Sequence, residues 1–536
     1  MSSLSVQTSG AAREAVDRHV PALVGDRFAS RLFAQDPTLW GAAAEEESAK
    51  RLGWVAAAEV SRPLVAEITA LREEFAAEGV DRFVLAGMGG SSLAPEVITR
   101  TAGVELFVLD STDPEMVGAA LADRLERTAI VVSSKSGSTV ETDSARRVFA
   151  RAFEEAGIDA ASRIVVVTDP GSPMESSARE AGYRRVFTAD PTVGGRFSAL
   201  TAFGLVPSGL AGVDVEALLD DADEAAEVLR EDAEDNPALH LGAALGGTEP
   251  LRNKLLFRDL GSGIAGFADW AEQLIAESTG KEGKGVLPVV VGSGDAPEAG
   301  AADVLVVELV AEDAEEAPQG DVVRVAGSLG SQLMLWEVAT AVAGRLLGIN
   351  PYDQPDVESA KNATRALLAD KPQPTPADVV DGPVEIRGAQ ELLDGTRTVE
   401  DALGKLLAQL PETGYLSVQA YFDRLTWADL EAVRPVLARA TGRPVTFGWG
   451  PRFLHSTGQY HKGGPAEGVY LQITAASGED LDIPDSPFSF GELISAQADG
   501  DAQVLADHGR PVLRLRLTDR AEGVARLRQA VEALGR

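Results

Sequence analysis

From residue 81 the chain repeats one texture: a short apolar run, a polar turn rich in Gly and Ser, then a helical stretch. The runs at 83–86, 105–109, 129–132 and 164–167 lead into turns that begin at Gly87, Asp110, Ser133 and Thr168. Apolar runs without polar alternation predict strands buried on both faces, and their alternation with helices predicts parallel βαβ units. A second set follows at 286–291, 304–310 and 322–325, with a long apolar helix over 332–347. Two sets of one flavour are compatible with an internal duplication, although no residue-level repeat accompanies them. A third set, at 415–420, 445–449, 469–473 and 512–517, lies beyond the Pro-rich stretch 371–376, which reads as a linker. Before residue 58 the pattern is helical, with an Ala- and Glu-rich stretch over 42–58. A chain of 536 residues exceeds one ordinary core. The expected division is a helical segment 1–58, α/β units over 59–205 and 206–375, and a C-terminal α/β unit over 376–536.

Composition changes this picture little. Hydrophobic residues make up 45% but aromatics only 5%, so the cores are aliphatic and Ala-rich, as α/β layers are. No stretch reaches the length of a membrane helix, and residues 1–12 lack the basic and apolar blocks of a secretory signal. Cysteine is absent, which excludes disulfides, thiol catalysis and thiolate metal sites and leaves a cytoplasmic location as the expectation. Acidic stretches such as 312–316 read as solvated loops.

Charge matters more. A net charge of −35 argues against nucleic-acid binding, since a polyanion repels a phosphate backbone. An anionic ligand would then need local cations and N–H donors, which directs attention to Lys and Arg within Gly/Ser loops. The loop Ser133-Ser134-Lys135-Ser136-Gly137-Ser138-Thr139 follows an apolar run and opens a helix at Glu141. Hydroxyls, an ammonium and helix-end N–H groups there suit an anion, though one such loop alone reads equally as a Ser-rich turn with an N-cap. A second loop, Gly87-Met88-Gly89-Gly90-Ser91-Ser92, has the same strand-to-helix placement, and its glycines permit close backbone approach. The spacing of a dinucleotide fingerprint or a Gly-Lys-Ser/Thr phosphate loop is not met.

Taken together with three later segments, these loops resemble the glucose-6-phosphate isomerases. The later segments are Gly194-Gly195-Arg196-Phe197-Ser198, Glu277-Ser278-Thr279-Gly280-Lys281, and the run from Asn350 through Gln354 and Val357-Glu358 to Lys361. The resemblance implies two sugar-isomerase-type αβα sandwich domains with mainly parallel sheets, the C-terminal unit being additional. It implies an aldose–ketose isomerase acting on a sugar phosphate without a cofactor or metal, and a possible homodimer. Gly90, Ser91, Ser134, Lys135, Ser136, Ser138 and Thr139 match the family's phosphate-holding positions. Glu277 matches the base that moves a proton between adjacent carbons, and Arg196 the cation that stabilises enediolate oxygens. Lys361 matches a donor to the ring oxygen, and Gln354 a hydrogen-bonding partner of the sugar or phosphate. Without the motif, Glu277 reads as surface charge, Arg196 as a structural ion pair, and Lys361 and Gln354 as an exposed helix face.

Two departures stand out. Better-known members carry a ring-opening His between base and lysine, and none lies between Glu277 and Lys361 here. The expected substitutes are His455 or His461, in the Gly-rich loop 450–464, acting in this chain or across a subunit boundary; their alternative is a bracing role. His240 is the next candidate, while His19 and His508 read as surface positions. The C-terminal unit is the second departure, and its 444–459 segment resembles the isomerase half of transaldolase–isomerase fusion proteins. The 58 residues before the first unit are too few for a transaldolase barrel.

Overall fold

The computed structural model of the chain describes residues 4–292, 296–314, 317–370, 376–476 and 478–535. The linker expected over 371–376 lies, but for its last residue, outside them, as do the last two residues of the acidic stretch 312–316.

The first sheet is wholly parallel, in the spatial order Phe107–Leu109, Arg82–Gly87, Thr128–Ser133, Ile164–Thr168, Arg185–Thr188. Its apolar runs face both ways, because successive side chains of a strand alternate sides. Phe83, Leu85, Val131 and Val165 join one core, and Val84, Ala86, Ile130 and Val166 join another. Both faces are therefore covered, which makes this layer an αβα sandwich.

The second sheet runs Ser5–Thr8, Val322–Ala326, Val304–Val310, Lys254–Leu260, Leu287–Gly292. All its pairings are parallel except that of Ser5–Thr8. The opening segment is thus corrected from all-helical: four residues at its start close an edge of the second sheet. One face, with Leu255, Phe257 and Val307, packs into the core shared with the first unit around the helix Leu329–Leu347. The other face, with Leu256, Val289 and Val306, is covered by Tyr415, Tyr460 and Tyr470 from the C-terminal unit.

The third sheet orders Val379–Asp381, Val384–Gly388, Val512–Leu517, Gly468–Ala475, Tyr415–Tyr421, Val445–Trp449, parallel over its last four strands. Two expected boundaries fall inside helices. Position 58/59 lies in Ala57–Ala77, and 205/206 lies in Ala202–Ala211, whose side chains belong to the core beneath the first sheet. No helix among the described residues is long and apolar enough to cross a membrane.

Candidate active site

In parallel sheets, ligands bind beyond the carboxyl ends of the strands. The serine-rich loop follows Thr128–Ser133 and ends at the helix Val140–Glu155. Thr139 takes the N-cap position without a capping bond from its side chain, and its hydroxyl lies 3.0 Å from that of Ser134 instead. First-turn N–H groups thus keep their affinity for an anion. Ser136 and Ser138 share a 3.0 Å hydroxyl contact, and both line a cavity of about 510 Å³ together with Thr139.

Lys135 does not serve this cavity. Its ammonium pairs with Asp169 at 2.7 Å, beyond the end of the neighbouring strand Ile164–Thr168. Burial pushes its pKa down, with Asp169 opposing. The phosphate-neutralising role expected of Lys135 is thus shared with an ion pair to Asp169. The cations that do line the cavity come from the helix Val357–Asp370, where Lys361 and Arg365 stand four residues apart and so on one face.

Arg196 lies at the centre of a second cluster. It sits in the short turn Gly195–Phe197 and is buried. Its Nε donates to Ser278 Oγ at 2.7 Å, Nη1 to Gln354 Oε1 at 2.8 Å, and Nη2 to the carbonyl of Pro351 at 2.6 Å. Nη1 also lies 3.3 Å from Glu277 Oε1. Burial pushes the guanidinium pKa down, while Glu277 and Asp353 hold it up. Glu277 is buried near the end of the helix Phe267–Thr279 and accepts a 3.0 Å bond from Gln273. Lys281, also buried, donates to the Asp353 carbonyl and carboxylate at 2.5 and 2.6 Å. Burial, then the charge of Arg196, pushes its pKa down to about 8. Glu277, Arg196 and Gln354 are thus brought together as the motifs implied.

The glycine loop supports this cluster from below. A Cβ on Gly90 would stand 1.9 Å from the Gly195 carbonyl oxygen, so only glycine lets this turn lie against the one carrying Arg196. Ser91 is buried in the same turn.

The two candidate histidines separate. His455 lines the cavity, and its Nε2 lies 3.0 Å from Glu141 Oε1. Glu141 also accepts a 2.7 Å bond from Gln497, whose own carbonyl accepts from Thr112. Burial would raise the Glu141 pKa, but His455, a backbone N–H and the Lys361 charge together hold the carboxyl below its ordinary value. The His455 carbonyl accepts from Gln273 at 2.8 Å, and the same Gln273 nitrogen donates to Glu277. One amide therefore ties Glu277 to the histidine's turn. His461 is buried instead among Tyr415, Tyr470 and Phe453, outside the cavity, and that burial drives its pKa well down. His240 contacts the Glu234 carbonyl, His19 that of Gly247, and His508 that of Lys462; none lines this cavity.

Sequence reasoning missed Glu141, Gln273, Gln497 and Arg365. It also missed Gln459, whose Nε2 donates to the Gly280 carbonyl and to Asp356, fixing the run that carries Gln354 and Lys361. Glu141 stood beside the serine loop, so its place at a helix start was the one available signal.

No protein-family model matches the chain. It is 32% identical over 344 residues to a probable glucose-6-phosphate isomerase of Haloarcula marismortui, covering 53% of this chain and 77% of the relative. It is 32% identical over 370 residues to a glucose-6-phosphate isomerase of Rubrobacter xylanophilus, covering 55% and 84%. Among solved structures, a hypothetical protein of Thermus thermophilus superposes with a TM-score of 0.58 at 27% identity, over 68% of this chain and all of the other. A glucose-6-phosphate isomerase of Chlamydia trachomatis gives 0.56 at 22% identity, over 67% and 87%, and so shares the fold.

Two mainly parallel α/β layers with a hydroxyl-rich loop and a buried carboxylate–guanidinium centre agree with these relatives, and the chain is a sugar-phosphate isomerase of the aldose–ketose type. Within that class, the chain belongs to the glucose-6-phosphate isomerase family.

Proposed function

We propose that this chain interconverts D-glucose 6-phosphate and D-fructose 6-phosphate through an enediolate. The observation that carries the reading is the buried Glu277–Arg196 pair, joined through Gln273 to the turn of a histidine lining the cavity. A protein that only binds sugar phosphates needs hydroxyls and cations, but has no use for a carboxylate paired with a fixed guanidinium at the reacting carbons.

The phosphate is received by Ser136, Ser138 and Thr139, by the first-turn N–H groups of Val140–Glu155, and by Arg365 on the facing helix. Lys361 and His455 exchange protons with the ring oxygen and the anomeric hydroxyl, opening the sugar. Glu141 orients the imidazole for that task. The Glu277 carboxylate then removes the proton from C2, and the C2–H electron pair forms the C1–C2 double bond while O1 gains charge. Arg196 stabilises that charge at a point fixed by its four other bonds. Glu277 returns its proton to C1, and the hydroxyl proton of O2 passes to O1, leaving the ketone at C2. No net oxidant is consumed.

A coupled assay offering glucose, mannose and fructose 6-phosphates separately tests this reading. Turnover of the glucose–fructose pair supports it; tight binding of all three without turnover contradicts it.

A further inference from the structure

Three arginines of the C-terminal unit stand just beyond the carboxyl ends of three parallel strands of the third sheet. Arg424 follows Tyr415–Tyr421, Arg452 follows Val445–Trp449, and Arg520 follows Val512–Leu517. All three reach carboxylates of the first unit. Arg520 meets Asp113 and Glu115 at 2.9 and 2.5 Å. Arg452 spans Glu96 and Asp110, each at 2.5 Å, and Arg424 spans the same two at 3.0 and 3.1 Å. Two guanidinium groups and two carboxylates thus alternate in a closed square, each side chain at most 13% exposed. Buried charge squares of this kind contribute little net stability compared with apolar packing, and their best-attested use is to fix register.

The register fixed here is that of the histidine. Arg452 begins the single turn Arg452–His455, of which His455 is the last residue. Glu96 lies on the helix Leu93–Ala102, which follows the glycine turn Gly89–Ser91. A Cβ on Gly89 would stand 2.8 Å from the His455 carbonyl, so this turn also seats the histidine's backbone. Arg424 grips the same carboxylates from a different strand end, with no short chain connection to His455.

We infer that Arg452 is a positioning residue for sugar-ring opening: its grip on Glu96 and Asp110 sets the turn that presents His455 to Glu141 and the cavity. The inference rests on the isomerase reading above. It separates Arg452 from Arg424, which a general docking role would not do.

The test compares wild type, Arg452→Met, the milder Arg452→Lys and Arg424→Met, each checked for folding by its melting transition. Each is assayed on cyclic glucose 6-phosphate and on an acyclic 4,5-dideoxy analogue that cannot close a ring. The expected result is a loss of about tenfold or more in kcat on the cyclic substrate for the Arg452 variants, since small misplacements of reacting groups carry costs of that order. Their kcat on the acyclic analogue should fall severalfold less, since the Gln273 link passes only part of a shift of the turn to Glu277, and their KM should stay within about twofold of wild type. Arg424→Met should show no such split, whatever it does to melting. If Arg452→Met fails to fold, Arg452→Lys, which keeps the charge but not the two-pronged grip, carries the test. Equal losses on both substrates, or the same split in Arg424→Met, would overturn the inference. Absence of turnover in wild type would instead strike the isomerase reading itself.

Discussion

At the scale of single residues, the site divides into groups that a motif could announce and groups that only the fold could assemble. Glu277, Arg196 and Gln354 stand in short, dense motifs, and they converge. Lys135 stood in an equally suggestive motif, yet its charge is met by Asp169, 34 positions away. Which carboxylate lands beside a lysine is decided by strand order, and strand order is not written locally. The Glu141–His455 contact joins residues 314 apart, and Glu141–Gln497 joins residues 356 apart. Replacing Glu277 with Gln keeps the shape and removes the base; kcat should fall by about 10²- to 10⁴-fold with phosphate affinity retained, as steady-state rates and phosphate inhibition would report. His455→Ala should slow turnover of cyclic substrate selectively. His461→Phe, in its apolar cage, should leave that selectivity untouched, and a split in the His461 variant would reverse the assignment.

At the scale of elements, the strands legible in the sequence are those buried on both faces, where apolar residues run without interruption. Arg185–Thr188 and Lys254–Leu260 carry too short an apolar run to be legible, because Arg185 and Lys254 open them and Arg258 and Asp259 break the second. Lys254 is tolerated in its strand because Asp303 and Glu467 meet its ammonium at 3.1 and 2.5 Å. The edge strand Ser5–Thr8 is too short to carry any period. Turns matter as much as strands here. Gly90→Ala must force the glycine turn away from Gly195, so the Arg196 turn shifts; activity should fall by about tenfold or more, while a melting scan reports whether the core survives. Lys281 gives the segment 351–354 a titratable hold. Its folded pKa of about 8 lies below the ordinary 10.5, so it grips Asp353 as an ammonium below pH 8 and loses that proton above it. Activity should therefore decline as pH rises through about 8, and Lys281→Arg should move that decline upward. Stability should respond in the opposite sense. Between about 8 and 10.5 the unfolded chain holds a proton that the folded chain has released, so this residue makes stability rise with pH over that window.

At the scale of the whole molecule, the sequence announced three α/β units but not how they depend on one another. The C-terminal unit covers one face of the second sheet, brings His455 to the cavity and holds Asp356 through Gln459. A chain ending near residue 376 should expose the apolar face of Leu256, Val289 and Val306, and should be recovered aggregated, as light scattering would detect. The net charge of −35 acts at this scale too. A dianionic substrate approaches against the long-range field and is held by local donors, so screening with salt should raise kcat/KM, chiefly through association.

Proton transfer by Glu277 between adjacent sugar carbons is the step on which the proposed reaction turns. Its most direct test is solvent exchange: glucose 6-phosphate incubated with the protein in D₂O, with deuterium at C2 followed by NMR. Deuterium incorporation and fructose 6-phosphate formation are expected of the wild type, both lost in Glu277→Gln while sugar-phosphate binding persists. Binding by the wild type without any exchange at C2, or undiminished exchange in Glu277→Gln, would contradict it.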